Sequence, residues 1–185
     1  IVSRDWSSDV CSSDLNFALG LHAPGRWDKI LNINECHIQT EVANEILQSI
    51  KELSSGIEPY NIREHTGFLR HVMIRVAANT NEIMVNIITS RDDPELLSPI
   101  SDTLITQFPN ITSIVNNITT RKAGVSMGEH QIVLHGNEYM LEKLGDYEFM
   151  ISADSFFQTN TKQAEKLYDI IDRKSTRLNS SHVKR

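Results

Sequence analysis

The stretch FLRHVMIRVAANTNEIMVNIIT, residues 68–89, decides the fold class because it contains two alternating segments joined by a polar turn. In residues 68–78 every second side chain between Val72 and Val76 is apolar. Residues 79–81, Asn-Thr-Asn, favour a turn, and residues 82–89 return as a second apolar run. A period of two on both sides of a short polar turn predicts an antiparallel hairpin.

Helical patterns flank this hairpin on both sides. Apolar side chains recur every three or four positions in residues 40–53 and again in residues 94–108, where Pro94 suits the first turn of a helix. Short strands at residues 29–33 and 111–118 complete the order strand, helix, strand, strand, helix, strand. This order predicts an α/β (α+β) fold with a ferredoxin-like central domain, in which both helices pack on one face of the sheet.

A second unit is predicted to begin after this domain. Residues 152–160 form a polar loop with two adjacent aromatic residues, and residues 161–171 have a helical pattern with Asn160 as N-cap. We therefore expect a central domain at residues 16–151 and the start of another domain at residues 152–172. Further short strands are predicted at residues 16–22, 131–135, 139–143 and 147–151.

The two ends of the chain show neither period. Residues 1–15 contain Ser-Ser-Asp twice, and residues 173–185 are polar and irregular. Both ends resemble translated sequencing-adaptor read-through, and disordered polar tails are the alternative interpretation. In either case we expect residues 1–15 and 173–185 to lie outside the fold.

The charge balance argues against a stand-alone nucleic-acid-binding domain. The chain has 24 acidic and 18 basic residues, which gives a net charge of −6. Its two irregular ends together contain more bases than acids, so the remainder is more acidic still. Nucleic-acid binders are usually basic, so any RNA contact must be local. Candidates for contacts with phosphates, for which a solvated sheet face is the alternative, are Arg26, Lys29, Arg63, Arg70, His71 and Arg75.

Cysteine content and hydropathy point to the cytoplasm. Of the two cysteines, Cys11 lies in the irregular amino-terminal end, which leaves Cys36. A single thiol forms no internal disulfide, which fits a reducing compartment. No apolar run reaches membrane-spanning length, and no signal peptide pattern is present. We expect a cytoplasmic protein without membrane contact, and a monomer.

Three motifs follow one another along the chain: GLHAPGR at residues 20–26, GFLR at residues 67–70 and SFFQTN at residues 155–160. Together they resemble the RNA 5-methyluridine methyltransferases, and are most similar to those that act on a uridine of 23S ribosomal RNA. The resemblance implies S-adenosyl-L-methionine as cofactor and ribosomal RNA as partner, with transfer RNA as the alternative. It also implies that residues 152–172 begin a Rossmann-like methyltransferase domain.

The SFFQTN motif provides the candidate binding residues. The resemblance places Phe156 against the target base, and Gln158 in the pocket that the base and S-adenosylmethionine share. Methylating C5 of a paired uridine requires the base to leave its stack. An aromatic wall and an amide that both donates and accepts hydrogen bonds suit a flipped uracil. The alternative is that Phe156 and Phe157 are core aromatics and Gln158 braces the start of the helix.

Cys36 is the candidate metal ligand. In family members with a [4Fe-4S] cluster, three cysteines lie upstream and a fourth follows a short apolar strand, and Cys36 matches that fourth position. The alternative is a free thiol packed as a small apolar side chain.

No catalytic residue is predicted within the chain. The resemblance implies that the nucleophilic cysteine, the general-base glutamate and the glycine-rich cofactor loop lie beyond Asp172. We therefore expect a fragment that is inactive alone. The competing interpretation is a non-catalytic ferredoxin-like ligand-sensing or interaction module, which would leave the SFFQTN motif unexplained.

Overall fold

A computed structural model describes residues 5–11, 17–122 and 128–181 of the chain. These residues form nine strands and three helices. In chain order they are β1 (Asp5–Cys11), β2 (Ala18–Ala23), β3 (Arg26–Asn32), α1 (Glu41–Leu53), β4 (Leu69–Val76), β5 (Ile83–Thr89), α2 (Pro94–Gln107), β6 (Ile111–Ile118), β7 (His130–Gly136), β8 (Tyr139–Leu144), β9 (Tyr147–Ser152) and α3 (Thr161–Ser181).

Seven strands form one sheet in the order β3-β2-β1-β4-β5-β6-β7. β5 and β6 run parallel, and the other neighbouring pairs of this sheet are antiparallel. β8 and β9 form a separate antiparallel hairpin. The α/β class predicted from the order of elements is confirmed.

Both α1 and α2 pack on one face of the large sheet, as predicted. Leu47 of α1 and Leu104 of α2 belong to one apolar cluster with Ile87 of β5. The helices also touch each other, since the Ser49 hydroxyl donates to Oε1 of Gln107 at 2.7 Å. We call this side of the sheet the helix-side face.

The strand order differs from the ferredoxin-like arrangement, although the order of elements over residues 29–118 is as predicted. In the split arrangement, another strand lies between two strands that a helix joins. Here β5 and β6, which α2 joins, are direct neighbours. β3 pairs with β2 at the edge of the sheet, because the turn at Pro24 and Gly25 folds one strand directly onto the other.

The amino-terminal end takes part in the sheet, contrary to expectation. β1 pairs with β2 through Asp9 and Gly20, and with β4 through Trp6 and Ile74. Backbone N–H and C=O groups supply these contacts, so a polar sequence without apolar alternation can form them. α3 likewise continues to Ser181, beyond the predicted end of the helix. Residues 1–4, 12–16 and 182–185 lie outside the described residues. The adaptor origin of both ends stays a prediction.

The opposite side of the sheet, which we call the loop-side face, is covered by the β8–β9 hairpin and the residues that follow it. A second core forms there from Ala77, Met84, Val115, Met140, Ile151 and Ala153. Because neighbouring side chains of a strand point to opposite faces, Met84 faces this core while Ile83 and Val85 face the helices. The segment after β9 is therefore held against the centre of the sheet.

Candidate functional site

Residues 153–160, which we call the Phe-Gln loop, connect β9 to α3. Phe157 packs against the second core, and its ring lies 5.6 Å from that of Phe149. Its neighbours point the other way: Phe156 is 83% exposed, and Gln158 is also exposed. Phe157 thus anchors the loop, as the core interpretation of this aromatic expects, while Phe156 and Gln158 face outward.

Polar contacts hold the first part of the loop to the sheet. Nη1 of Arg75 on β4 donates to the carbonyl oxygen of Ser152 at 3.0 Å. Nδ2 of Asn117 on β6 donates to Oδ1 of Asp154 at 3.1 Å. The hydroxyls of Ser152 and Ser155 lie 2.6 Å apart and form a further hydrogen bond. The backbone before Phe156 is therefore tied to two different strands.

The end of the loop is fixed by the start of α3. Oδ1 of Asn160 accepts a hydrogen bond from the backbone N–H of Gln163 at 3.1 Å, so the predicted N-cap is confirmed. The Thr161 hydroxyl donates to Oε2 of buried Glu142 at 2.9 Å. The same carboxylate accepts from the backbone N–H groups of Ala78 and Asn79. Glu142 thus joins α3, β8 and the turn after β4.

An open cleft of about 840 Å³ lies between the β8–β9 turn and α3. We call it the aromatic cleft. Phe156 and Gln158 both line it, so the structure brings the two predicted binding residues together. The other lining residues are Leu144, Gly145, Asp146, Tyr147, Phe149, Phe157, Glu165, Tyr168, Asp169, Ile171 and Asp172.

The charge in the aromatic cleft is negative. Four carboxylates and no lysine or arginine occur among the described residues that line it. An acidic wall repels phosphate groups and attracts cations, while the aromatic rings favour a flat apolar partner. The cleft is therefore suited to a nucleobase or to a cationic ligand rather than to a phosphate backbone.

Among the described residues of the Phe-Gln loop, Asp154 is the one whose pKa is shifted. Burial raises the pKa of its carboxyl group, while the charge of Arg75 and the hydrogen bond from Asn117 oppose that shift. Asp154 remains exposed overall, and its carboxylate accepts a hydrogen bond from Asn117 within the influence of the charge of Arg75.

Cys36 follows β3 and is partly buried against the helix-side core. Its backbone is fixed to α1, because its N–H donates to Oδ1 of Asn44 at 2.9 Å and its carbonyl accepts from Nδ2 of Asn44 at 3.2 Å. A [4Fe-4S] cluster needs four thiolates, and the whole sequence has two cysteines. Among the described residues, no group of three or more His, Cys, Asp or Glu side chains is arranged to hold a metal. The residues present do not fit a complete cluster site.

Three of the predicted phosphate contacts are wrong because the side chains are buried. Arg70 is 2% and Arg75 7% exposed, and His71 is buried as well. Nη1 of Arg70 donates to the carbonyl of Thr119 at 3.0 Å, and its guanidinium lies 4.0 Å from the ring centre of Tyr60.

The remaining basic candidates stay predictions. Arg63 and Lys29 are exposed, and the side chain of Arg26 lies outside the described residues. Arg70 is buried against Tyr60 and Thr119, and Arg75 against the end of β9, and no local pattern in β4 indicates either contact. By contrast, adjacent asparagines at 116 and 117 within an apolar strand were a signal for Asn117 that the sequence reasoning missed.

No helix among the described residues is both long enough and apolar enough to cross a membrane.

Comparison with known proteins identifies relatives of the chain. No family model matches the sequence. The chain is 40% identical over 174 residues to an uncharacterized RNA methyltransferase of Chlorobaculum tepidum, a match that covers 92% of this chain and 36% of the relative. It is 38% identical over 152 residues to an uncharacterized RNA methyltransferase of Bacillus cereus, which covers 81% of this chain and 33% of that protein. The chain spans about a third of the length of these curated relatives.

A solved structure shares the fold. The crystal structure of Pyrococcus abyssi tRNA (uracil-54, C5)-methyltransferase in complex with S-adenosyl-L-homocysteine matches with a TM-score of 0.74 and 27% identity. The match covers 93% of this chain and 40% of that one. By sequence and by fold, the chain is related to RNA methyltransferases.

Proposed function

We infer that this chain belongs to the RNA (uracil-C5) methyltransferase family and presents Phe156 and Gln158 to a flipped uridine and to S-adenosylmethionine. One observation carries the proposal. The two residues line the same cleft, on a loop whose two ends are held by hydrogen bonds. A loop that served only to connect β9 and α3 would have no need to expose a phenylalanine there.

Phe156 and Gln158 divide the recognition of the base between them. The exposed ring of Phe156 offers a face on which a flipped uracil stacks. The Gln158 amide offers a donor and an acceptor to the polar edge of uracil. Both side chains reach the base without moving the loop, since Phe157 and the cap at Asn160 fix the backbone on either side.

The acidic wall of the cleft fits the cofactor. S-adenosylmethionine, when bound, supplies the methyl group on a positively charged sulfur. The carboxylates of Asp146 and Asp169 attract such a cation, and they keep RNA phosphates away from the base-binding position. The crystallised P. abyssi relative is in complex with S-adenosyl-L-homocysteine, which supports S-adenosylmethionine as the cofactor.

The covalent chemistry requires groups beyond those in the cleft. In the mechanism that the resemblance implies, a thiolate adds to C6 of uracil, C5 takes the methyl group, and a base removes the C5 proton before the thiolate leaves. Cys36 does not provide that thiolate, since it packs against the helix-side core and the cleft lies on the loop side. We assign the nucleophile, the base and the glycine-rich loop to the two thirds of the relatives that this chain does not match.

Several finer assignments belong to the same proposal. The substrate is a uridine of 23S ribosomal RNA, and the enzyme acts in the cytoplasm as a monomer. Cys36 is one of four cluster ligands in a longer protein that supplies the other three, and no step proposed for the cleft uses that cluster. The 185-residue chain alone transfers no methyl group.

The test is methyl transfer by a chimera in which this chain replaces the matching segment of the C. tepidum relative. We expect activity on 23S ribosomal RNA fragments, and activity only on transfer RNA would overturn the substrate assignment. Within the chimera, Gln158→Ala removes an amide that pairs with a buried base or cofactor. A loss of about 1–3 kcal/mol corresponds to a roughly five- to 150-fold fall in kcat/KM.

The control is Gln131→Ala, which removes an exposed amide from edge strand β7. It should leave kcat/KM and the melting temperature unchanged. If Gln158→Ala behaves like this control, or loses activity only in step with its melting temperature, Gln158 is a structural residue.

A further inference from the structure

Two buried polar side chains reach from the sheet to the Phe-Gln loop. Arg75 lies on β4 and Asn117 on β6, with β5 between them. Both side chains are buried on the loop-side face, and they contact Ser152 and Asp154. These contacts fall four and two residues before Phe156.

Such groups are costly to bury. A buried guanidinium and a buried amide lose their hydration, and only hydrogen bonds compensate for it. The neighbouring residues on the same face, Met84 and Val115, show that apolar side chains fit there. We therefore attribute the presence of Arg75 and Asn117 to their hydrogen bonds with Ser152 and Asp154.

These and other contacts fix most of the loop backbone and leave the side chains of Phe156 and Gln158 exposed. Arg75 and Asn117 fix its beginning, Phe157 its middle, and Asn160 its end. Between these points, Phe156 and Gln158 are exposed and line the aromatic cleft. Shifting the first anchor would rotate both side chains together.

We propose that Arg75, Asn117 and Asp154 form a positioning network that sets the orientation of Phe156 and Gln158 in the cleft. The network rests on the proposed function of the cleft, since it acts on the base only through those two side chains. Small errors in the placement of binding groups reduce rates strongly, because reacting atoms must be held close to their reactive geometry.

The first test measures amide hydrogen exchange of the full 185-residue chain and does not depend on activity. Asn117→Ala removes the amide donor, and Asp154→Ala removes the acceptor from the surface side, without altering the buried strand. Each should raise exchange at residues 154–160 about tenfold, as expected for the loss of a hydrogen bond to a charged group. Exchange in β4, β5 and β6 should stay unchanged.

The matched control is Asp102→Asn, an exposed carboxylate on α2 that should leave exchange at residues 154–160 unchanged. Unchanged exchange at the loop in Asp154→Ala would overturn the proposal. So would an equal increase throughout β4, β5 and β6, because the pair would then stabilise the sheet instead of positioning the loop.

The second test measures kcat and KM in the C. tepidum chimera. Asp154→Ala should lower kcat about tenfold and change KM for RNA little, because the displaced groups act on the base and not on the bulk of the RNA. The double variant Asn117→Ala/Asp154→Ala should be no worse than Asp154→Ala, since both remove the same contact.

Unchanged kcat together with raised loop exchange would show that the order of the loop is irrelevant, and the positioning role would be wrong. An inactive parent chimera, or a Gln158→Ala variant with full activity, counts instead against the proposed function. In that case the exchange measurement still decides whether the network holds the loop.

Discussion

The helix-side and loop-side faces of the sheet are built from different chemistry. On the helix side, Val72, Ile74, Val85 and Ile87 pack against α1 and α2 in one apolar core. On the loop side, β4 buries Arg75, whose guanidinium donates a hydrogen bond to the last residue of β9, just before the Phe-Gln loop. We infer that the helix-side face supplies most of the stability, while the loop-side face buries polar groups that hold the Phe-Gln loop.

Asn86 makes the contrast sharper. It lies on β5 between Val85 and Ile87, so its side chain points to the loop side. The amide is 1% exposed, and neither its nitrogen nor its oxygen has a hydrogen-bond partner among the described residues. A buried amide without partners destabilises a fold. The helix-side strand positions beside it contain only apolar side chains.

The largest expected effect is on the helix side. Leu47→Ala should lower the free energy of unfolding by about 2–5 kcal/mol, because Leu47 is fully buried and its removal leaves a cavity. Urea unfolding of the purified chain measures this. Leu167→Ala, an exposed leucine of α3, is the control and should change it by less than about 0.5 kcal/mol. Equal losses in the two variants would mean that the helix-side core is not the main source of stability.

The next largest effect on stability is expected at Phe157 and not at its neighbour Phe156. Phe157→Ala should cost roughly 1–3 kcal/mol of unfolding free energy, because its ring covers the second core. Phe156→Ala should cost little stability and reduce methyl transfer by the chimera, because its ring is exposed to the aromatic cleft. When unfolding and activity are measured on both variants, Phe157→Ala should show the larger loss of stability, and the activity lost by Phe156→Ala should not be explained by unfolding. If Phe156→Ala proves the more destabilising variant, the loop orientation described above is wrong.

A smaller change of opposite sign is expected at Asn86. Asn86→Val should raise the free energy of unfolding by about 1–2 kcal/mol, because it replaces an amide without partners by an apolar side chain of similar size. The control is Asn137→Val, since Asn137 is exposed in the turn after β7. A destabilised Asn86→Val protein would show that the amide is paired in solution and that the two faces differ less than we infer.

The smallest effect concerns pH. Burial raises the pKa of Asp154 in the folded chain, against the opposing influence of Arg75 and Asn117. Between the ordinary aspartate value of about 3.9 and that raised pKa, the folded state binds more protons than the unfolded state. Stability contributed by this group is therefore lost as pH rises through the window.

Asp154→Asn removes this dependence. The melting temperature of the wild-type chain minus that of Asp154→Asn should fall as pH rises from about 4 toward neutrality. A difference that grows over this range would mean that attraction to Arg75 outweighs burial. The control is Asp102→Asn, whose difference from the wild type should vary little with pH.

The local elements followed from short-range patterns. The alternation in residues 68–89 predicted β4, β5 and the turn between them, and the apolar stripe of residues 40–53 predicted α1. Asn160 was predicted as the cap of α3 from its position before the helical period. Each of these depends on residues within a few positions of one another, and such residues are close in space whatever the rest of the chain does.

The candidate site was predictable in part. The SFFQTN motif pointed to Phe156 and Gln158, and the structure places both in the aromatic cleft. Which of the two phenylalanines faces out, and how Arg75 and Asn117 hold the loop, were not predictable from the motif. The contacts that hold the loop join residues far apart in sequence, 37 positions in the case of Asn117 and Asp154.

Sequence patterns predicted β2 to β9 and the start of α3, because hydrophobic period, turn residues and caps act between neighbours along the chain, but they predicted neither β1 nor the full length of α3. Only the tertiary structure decided that β1 lies between β2 and β4, and that β6 runs parallel beside β5. It also decided that Arg70 and Arg75 are buried rather than available to phosphates. The physical reason is that backbone pairing between strands accepts almost any sequence, so the order of strands and the cover over each face depend on which distant segments pack best together.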